Sequence, residues 1–356
     1  MPPGRAATAL TLALTLALVA GTLALGSAMV RRDSAPIPPE PLPALALPVL
    51  PLISSRFEGV ALESHLEGSV AYEHRDELLA SPVLRDLEFT RRVHWWVAYW
   101  TGPAAEWFPG FLDRMAWLGA SVDSALATHD FPPSLRYLPL IESGYSPRVT
   151  SRASAVGLWQ LMAPTARELG LEVSPLLDER SHPEKSTEAA LRYLDALHSE
   201  FDSWFVALAA YNSGPTRVRG ILRRHAPGEP RTDSLFWALR RHFPPETRDF
   251  LPKLYGAMWI ASQPDAYGFE LPVVERFAFD AVSVPDQTTL DVVALAANAS
   301  HDEIVRLNPE YPRGITPLGR RVTVRVPVGQ ARIFAYRYSL IPPESRVTFV
   351  DNRGPQ

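Results

Sequence analysis

The chain has 356 residues, is 46% hydrophobic and 21% charged, and carries a formal net charge of −4. Such a composition can bury a core large enough for one sizeable domain and a smaller one, which excludes a disordered tail, and its slightly acidic balance supplies no basic footprint for nucleic acid. The absence of cysteine excludes disulfides, thiol nucleophiles, Cys-zinc sites and a lipidated N-terminal Cys.

Residues 6–30 carry no charge and follow a single Arg5. The stretch is longer than the roughly 7–15-residue apolar core of a signal peptide and close to the ~20 residues that span a bilayer. Residues 1–33 therefore read as a signal peptide or a membrane anchor. Gly26-Ser27-Ala28 suits signal peptidase, and Arg31-Arg32 on the far side weakens an orientation argument from charge. Both readings imply export to the periplasm or cell envelope, with residues 6–30 holding the chain to the inner membrane if they are retained. Residues 34–57 are proline-rich, and repeated loss of backbone donors favours an extended spacer.

Residues 58–131 form an N-terminal helical region, in which SPVLRDLEFTRRVHWWVAYW and EWFPGFLDRMAWLGASVDSALATH place apolar residues three and four apart. Trp95, Trp96, Trp100, Trp107 and Trp117 could stack on sugars, but at helical spacing they fit a core equally well.

In PPSLRYLPLIESGYSP the spacing aligns Leu135, Leu138, Ile141 and Glu142 on one helical face, with Gly144 and Pro147 ending the helix. A carboxylate in that position loses hydration and meets the negative end of the helix dipole, so its neutral form is favoured. That describes a general acid; a solvated or Arg-paired Glu is the plain alternative. Ser151 and AVGLWQLMAPTARELGL follow, where Gly157 permits close backbone approach, Pro164 opens a short helix ending near Gly170, and Gln160 inside an apolar run requires a buried partner or a ligand. STEAALRYLDALHSEF begins a long helix at a Ser/Thr cap. WFVALAAYNSGPTRVRGILRR reads as two helices broken at Asn212-Ser213-Gly214-Pro215, with Tyr211 and Asn212 closing the first. After about Phe277, FAFDAVSVP, TLDVVALAANASHDEIVRLNPEYP and RRVTVRVP read as a strand, two short helices and a strand.

The ordered set ESGYSP, Ser151, GLWQLM, Thr165, DER, STEAALRYL and the AAYNSG turn closely resembles the lytic transglycosylase (SLT) domain of the goose-type lysozyme superfamily. The likeness is strong from about Pro132 to His225. FPPETRDFLPKLYGAMWIASQPDAYGF resembles the closing helices of that family, and the stretch from about Phe277 to Tyr338 resembles, more weakly, a degenerate LysM-type wall-binding unit. The resemblance implies a mostly α fold: a lysozyme-like helical transglycosylase domain at 132–274, a small α+β LysM-like module at 275–343, and a tail at 344–356.

By the same resemblance Glu142 takes the catalytic position, with Tyr211 opposite it. Ser151, Gly157, Gln160, Met162 and Asn212 fall on positions that line the glycan cleft. The expected reaction cleaves the MurNAc-(β1,4)-GlcNAc bond of peptidoglycan without water, leaving 1,6-anhydro-MurNAc ends. Val149 and Ala153-Ser154-Ala155 depart from the usual Ala and Ala-Gly-Ala of the family, and Ser154 in place of Gly bears on the loop beneath the sugar. The rival readings are a hydrolytic lysozyme, in which Asp178 or Glu179 activates water, and a non-catalytic wall-binding scaffold. No cofactor is expected, since the histidines form no metal-binding pattern and no phosphate-binding glycine loop is present. The expected partner is the peptidoglycan glycan strand, with no nucleic acid.

Overall fold

The computed structural model describes residues 76–270 and 275–346. The segments expected at 1–33 and 34–57, and most of the tail, lie outside the described residues. Within those described, no helix is long and apolar enough to cross a membrane.

The helical domain opens with α1 (Leu87–Thr101), capped by Asp86, whose carboxylate accepts from the amides of Glu88 and Phe89. α2 (Phe108–Thr128) begins at a Pro in its first turn. After the site-bearing segments come α5 (Pro183–Phe201), α6 (Trp204–Ser213), α7 (Pro215–His225), α8 (Asp233–Leu239) and α9 (Pro245–Ser262). Two shorter helices, α3 (Leu138–Ser143) and α4 (Ala163–Glu168), precede α5. The break between α6 and α7 falls at Gly214, which adopts a φ of +86° and lets Pro215 start the next helix.

The start of α5 differs from expectation. His182 caps it, with Nδ1 accepting from the Lys185 amide, and Pro183 is its first residue. Ser186 and Thr187 lie one turn further in, buried, with both hydroxyls donating to the Pro183 carbonyl. A Pro at the first position can begin a helix because its missing N–H would have no intrahelical partner.

α9 packs against α1 at the centre of the domain. Gly256 permits that approach, because a Cβ there would lie 2.9 Å from the Trp96 Cβ and 3.3 Å from the Val93 carbonyl. Phe89 of α1 meets Phe205, Trp237 and Tyr255 in an aromatic cluster. Trp96 and Trp100 are core residues, whereas Trp107 is 53% exposed. The helical spacing of these tryptophans thus reports packing for Trp96 and Trp100 and not for Trp107.

The C-terminal module pairs β1 (Asp280–Val284) antiparallel with β2 (Val322–Val326), in the register Asp280↔Val326 to Val284↔Val322. Between them lie α10 (Leu290–Ala297), capped by Thr289, and α11 (His301–Leu307), capped by Ser300. A further helix, α12 (Ala331–Leu340), was not anticipated from the sequence; only its Phe334 is buried, so it carries almost no apolar stripe to reveal it.

The module is seated on the helical domain. Leu177 from that domain enters the module's apolar cluster beside Val293, Ile304 and Val324. The Asp178 amide donates to the Glu310 carbonyl at 2.8 Å, and the Phe277 amide to the Trp117 carbonyl at 2.8 Å. Arg325 of β2 is buried against Glu310 at 2.9 Å, and its guanidinium lies 2.8 Å from Nδ1 of His182. Burial first, then the positive field of Arg325, pushes the His182 imidazole down to about 2, so it stays neutral in this contact.

Replacing Arg325 with Ala strands the buried Glu310 carboxylate, and removal of one partner of such a pair costs about 3–5 kcal/mol. Denaturant unfolding of the Arg325→Ala chain should show a loss of that size. A loss under about 1 kcal/mol would mean that the pair behaves as a solvated surface contact.

Candidate active site

The segment that carries Glu142 is assembled from two kinds of turn. A 3-10 turn at Pro133–Tyr137 leads directly into α3, so the expected single helix is split. The stripe survives the split: Leu135, Leu138 and Ile141 are all buried. α3 ends at Gly144, whose φ of +57° is left-handed and whose missing Cβ would meet the Phe111 ring at 2.4 Å. A side chain at this position is excluded both by conformation and by space.

The end of α3 is held from three sides. Ser143 Oγ donates to the Leu158 carbonyl at 2.9 Å, Lys253 Nζ of α9 donates to the Ile141 carbonyl at 2.8 Å, and Arg114 Nε of α2 donates to the Gly144 carbonyl at 2.7 Å. The two cationic donors, Lys253 and Arg114, satisfy carbonyls that a helix terminus leaves without partners. Glu142 itself keeps limited solvent access between buried Ile141 and the clamp.

The loop after α3 folds on itself. Ser151 exchanges bonds with Ala155: its amide donates to the Ala155 carbonyl, and its Oγ accepts from the Ala155 amide at 3.0 Å. Ser154, where the family usually carries Gly, takes a left-handed φ of +65° and offers its carbonyl to Arg180 Nη1 at 2.9 Å. A non-glycine residue in that region carries a cost of about 1–2 kcal/mol, which the Arg180 bond helps to offset. Gly157 has a φ of +85°, and a Cβ there would fall 2.0 Å from the Arg180 carbonyl oxygen, so its role is close backbone approach. Gln160 donates to the Gly157 carbonyl at 2.9 Å and the Val149 carbonyl at 3.3 Å. Its partners are thus the loop's own carbonyls. Met162 stands at the position before α4, where its side chain makes no capping bond, and is 42% exposed.

Tyr211 comes to this loop from the end of α6. Its hydroxyl donates to the Trp159 carbonyl at 2.6 Å, its ring packs against Tyr193, and burial first, then the charge of Glu142, pushes its phenol well above the usual range. Glu142 and Tyr211, 69 positions apart in the chain, are therefore electrostatic neighbours. Asn212 Oδ1 accepts from Thr247 Oγ1 at 2.7 Å and ties α6 to α9. Ser151, Gly157 and Gln160 share one loop, Tyr211 joins it through Trp159, and Asn212 faces α9 instead.

Burial is the main cause that pushes the Glu142 carboxyl up to about 7; the positive charge of Lys253 opposes the rise, and the negative charge of Glu246 adds to it. Burial in turn pushes the Lys253 ammonium down, against the pull of Glu142 and Glu246. Neither Lys253 nor Glu246 was singled out from the sequence. A lone Lys inside FLPKLYGAMWIA was the available signal for the first; Glu246, exposed at the start of α9, gave none.

The acidic pair of the DER turn is otherwise engaged. Asp178 accepts from Arg180 Nε at 2.9 Å and Nη2 at 2.7 Å. Glu179 pairs with Lys185 and accepts from the Glu172 amide at 2.8 Å. Among the described residues, no three His, Asp or Glu side chains are grouped to hold a metal ion.

Two outcomes follow from this geometry. Gly157→Ala should lower the denaturation midpoint and disturb the loop, with a stability loss of about 1–3 kcal/mol, whereas Gly228→Ala, which meets nothing within 4 Å, should cost less. A carboxyl raised from 4.5 to about 7 binds more protons folded than unfolded between those values, so stability falls as pH rises through that window. Glu142→Gln should therefore melt above the wild type at pH 8, by something on the order of 2–3 kcal/mol, and match it near pH 4. Equal melting of the two chains at pH 8 would place Glu142 in a solvated setting.

Comparison with known proteins places both halves of this architecture. Residues 123–232 match the family described as Transglycosylase SLT domain, and residues 278–343 match the LysM-like domain of lytic transglycosylase MltD. Membrane-bound lytic murein transglycosylase D of Escherichia coli K12 is 34% identical over 163 residues, covering 46% of this chain and 34% of that protein, and the protein of the same name from E. coli O6:H1 matches equally. This chain thus spans about a third of the length of those relatives. The 70 kDa soluble lytic transglycosylase of E. coli is 27% identical, with a TM-score of 0.33, covering 42% of this chain and 23% of that one. Residues 123–232, which hold Glu142, are thus a transglycosylase SLT domain, and the two-stranded module at residues 278–343 is an MltD-type LysM-like domain.

Proposed function

We propose that the chain is a peptidoglycan lytic transglycosylase in which Glu142 acts first as general acid and then as base. One feature carries the reading: burial between Lys253 and Glu246 pushes the Glu142 carboxyl up to about 7, so that near neutral pH both of its protonation states are accessible. The SLT match, which includes Glu142, Tyr211 and the loop between them, supports it.

In this mechanism Glu142 gives its proton to the oxygen leaving with N-acetylglucosamine as positive charge builds at the muramyl anomeric carbon. The muramyl N-acetyl group supports that charge. Glu142, now a carboxylate, takes the proton of the sugar's own C6 hydroxyl as that oxygen bonds to the anomeric carbon. The proton balance closes on Glu142, no water is consumed, and the product is a 1,6-anhydro-MurNAc end. Tyr211 fixes the turn at Trp159 beside Glu142, Ser151, Gly157, Gln160 and Met162 shape the glycan-binding surface, and Asn212 braces it through Thr247. The LysM-like domain contacts the same wall polymer. The uncharged apolar run of residues 6–30 supports action at the cell envelope, and the E. coli relatives are membrane-bound by name.

A hydrolytic lysozyme is the second reading. The pairing of Asp178 and Glu179 leaves Glu246 as the carboxylate whose charge reaches Glu142, so Glu246 is the candidate for activating water.

Mass spectrometry of muropeptides released from purified sacculi by the full chain separates the readings. Anhydromuramyl ends are expected, with a loss of about 10²–10⁴-fold in Glu142→Gln; reducing ends that disappear in Glu246→Gln would establish hydrolysis instead. Sacculus binding without released fragments would leave a scaffold. As to pH, the rate should fall as pH rises through about 7, because the acid step needs protonated Glu142. Glu246→Gln removes a charge that raises the Glu142 pKa, so under the transglycosylase reading it moves this limb to lower pH. Tyr211→Phe loses one hydrogen bond, worth about 1 kcal/mol, and should slow turnover roughly five-fold; full activity would reduce Tyr211 to packing.

A further inference from the structure

The seam between the SLT domain and the LysM-like domain encloses a cleft of about 770 Å³. One wall is α2, with Trp117, and the loop Ser146–Arg148; the other is the entry to the LysM-like domain at Glu275–Ala278, the α11 face and the end of β2. Four arginines and four carboxylates line it. Among them Arg148, Arg276, Arg306, Glu275, Asp302 and Glu303 have no ion-pair partner among the described residues. Opposite charges that share a cleft without neutralising one another keep their hydration, and a ligand bearing both signs can exchange that hydration for charge-assisted bonds.

The cleft is adjacent to Glu142. Arg114, which lines it, is the residue whose Nε holds the Gly144 carbonyl at the end of α3. Ser146 follows Glu142 by four residues, so their Cα atoms are at most about 15 Å apart. A neutral polysaccharide backbone has no use for this array of charges. The muramyl sugar, however, carries through its lactyl group a short peptide with free carboxylates and an ammonium group, and three extended residues reach about 10 Å.

We propose that the interdomain cleft is a recognition site for the zwitterionic stem peptide of the substrate. The peptide carboxylates meet Arg148 and Arg276, its ammonium group meets Glu275, Asp302 and Glu303, and Trp117, with the Arg306 guanidinium over its ring, lies in the adjoining wall. The LysM-like domain then acts as one wall of a peptide site beside the glycan cleft, in addition to any contact with glycan elsewhere. The inference rests on Glu142 as the cleavage centre, because that places the muramyl lactyl group next to the seam.

Two measurements on the full chain test it. The first titrates synthetic L-alanyl-γ-D-glutamyl-meso-diaminopimelyl-D-alanine into the Glu142→Gln chain and follows the Trp117 indole N–H by NMR. Saturable binding that weakens at least ten-fold in Arg276→Glu and in Asp302→Lys supports the site; no binding, or equal binding in both variants, overturns it. The second compares cleavage of peptide-bearing sacculi with that of amidase-stripped glycan strands. Both substitutions are exposed and lie outside the SLT domain, so they should raise KM at least ten-fold for the peptide-bearing substrate and leave stripped strands unchanged. Equal losses on both substrates would overturn the proposal. If the chain cleaves neither substrate, the transglycosylase reading fails, and the peptide titration still decides the cleft on its own.

Discussion

Removal of Glu142 from water is the constraint around which the rest of the SLT domain is arranged. A carboxyl at the end of a short helix is ordinarily ionised; here burial raises it to about 7, and Lys253 limits the rise. The same lysine donates to the Ile141 carbonyl, so one buried cation both holds the helix end and tempers the acid. A desolvated carboxyl tends to regain water by local movement, and the bonds from Lys253 and Arg114 to the Ile141 and Gly144 carbonyls, with that from Ser143 to the Leu158 carbonyl, oppose that movement. The tilt of the balance matters chemically: without the lysine the acid would give its proton less readily, and without burial it would have none to give.

The loop after α3 uses a similar economy. Arg180 supplies the carbonyl against which Gly157 packs and the donors that hold Ser154 and Leu161, while its remaining donors engage Asp178. The adjoining backbone carries the LysM-like domain, through the Asp178 amide, Leu177 and the His182 cap. One short turn thus supports both the loop after α3 and the seat of the second domain. Buried pairs such as Arg325 with Glu310 add little net stability over an apolar contact but penalise alternative seatings that would leave a charge unpaired. That is the physical basis for a defined seam between the domains, and so for a defined cleft within it.

Much of this was legible in the chain. The Glu142 stripe, the Gly214-Pro215 break and the strand-helix-helix-strand order of the module all follow from period, caps and breakers, which act within a few residues. The helix start at Pro183, the split of the Glu142 segment into a 3-10 turn and a short α-helix, and α12 were not legible. Ser186 and Thr187 have the chemistry of caps but serve as buried inner-turn residues, and α12 buries a single aromatic. Lys253 and Glu246 are more than a hundred residues from Glu142 in sequence, so no local spacing could assign them to it.

The sequence by itself determined the fold class and most of the order of the elements, and it singled out Glu142, because helix periodicity, glycine and proline chemistry and an ordered motif set are properties of short stretches. Only the tertiary structure decided how acidic Glu142 is, which donors clamp it, where Gln160 finds its partners, and that the LysM-like domain forms a charged cleft against the SLT domain. Desolvation and Coulomb fields depend on distance in space, and α9, the DER turn and β2 reach the site only when the chain has folded.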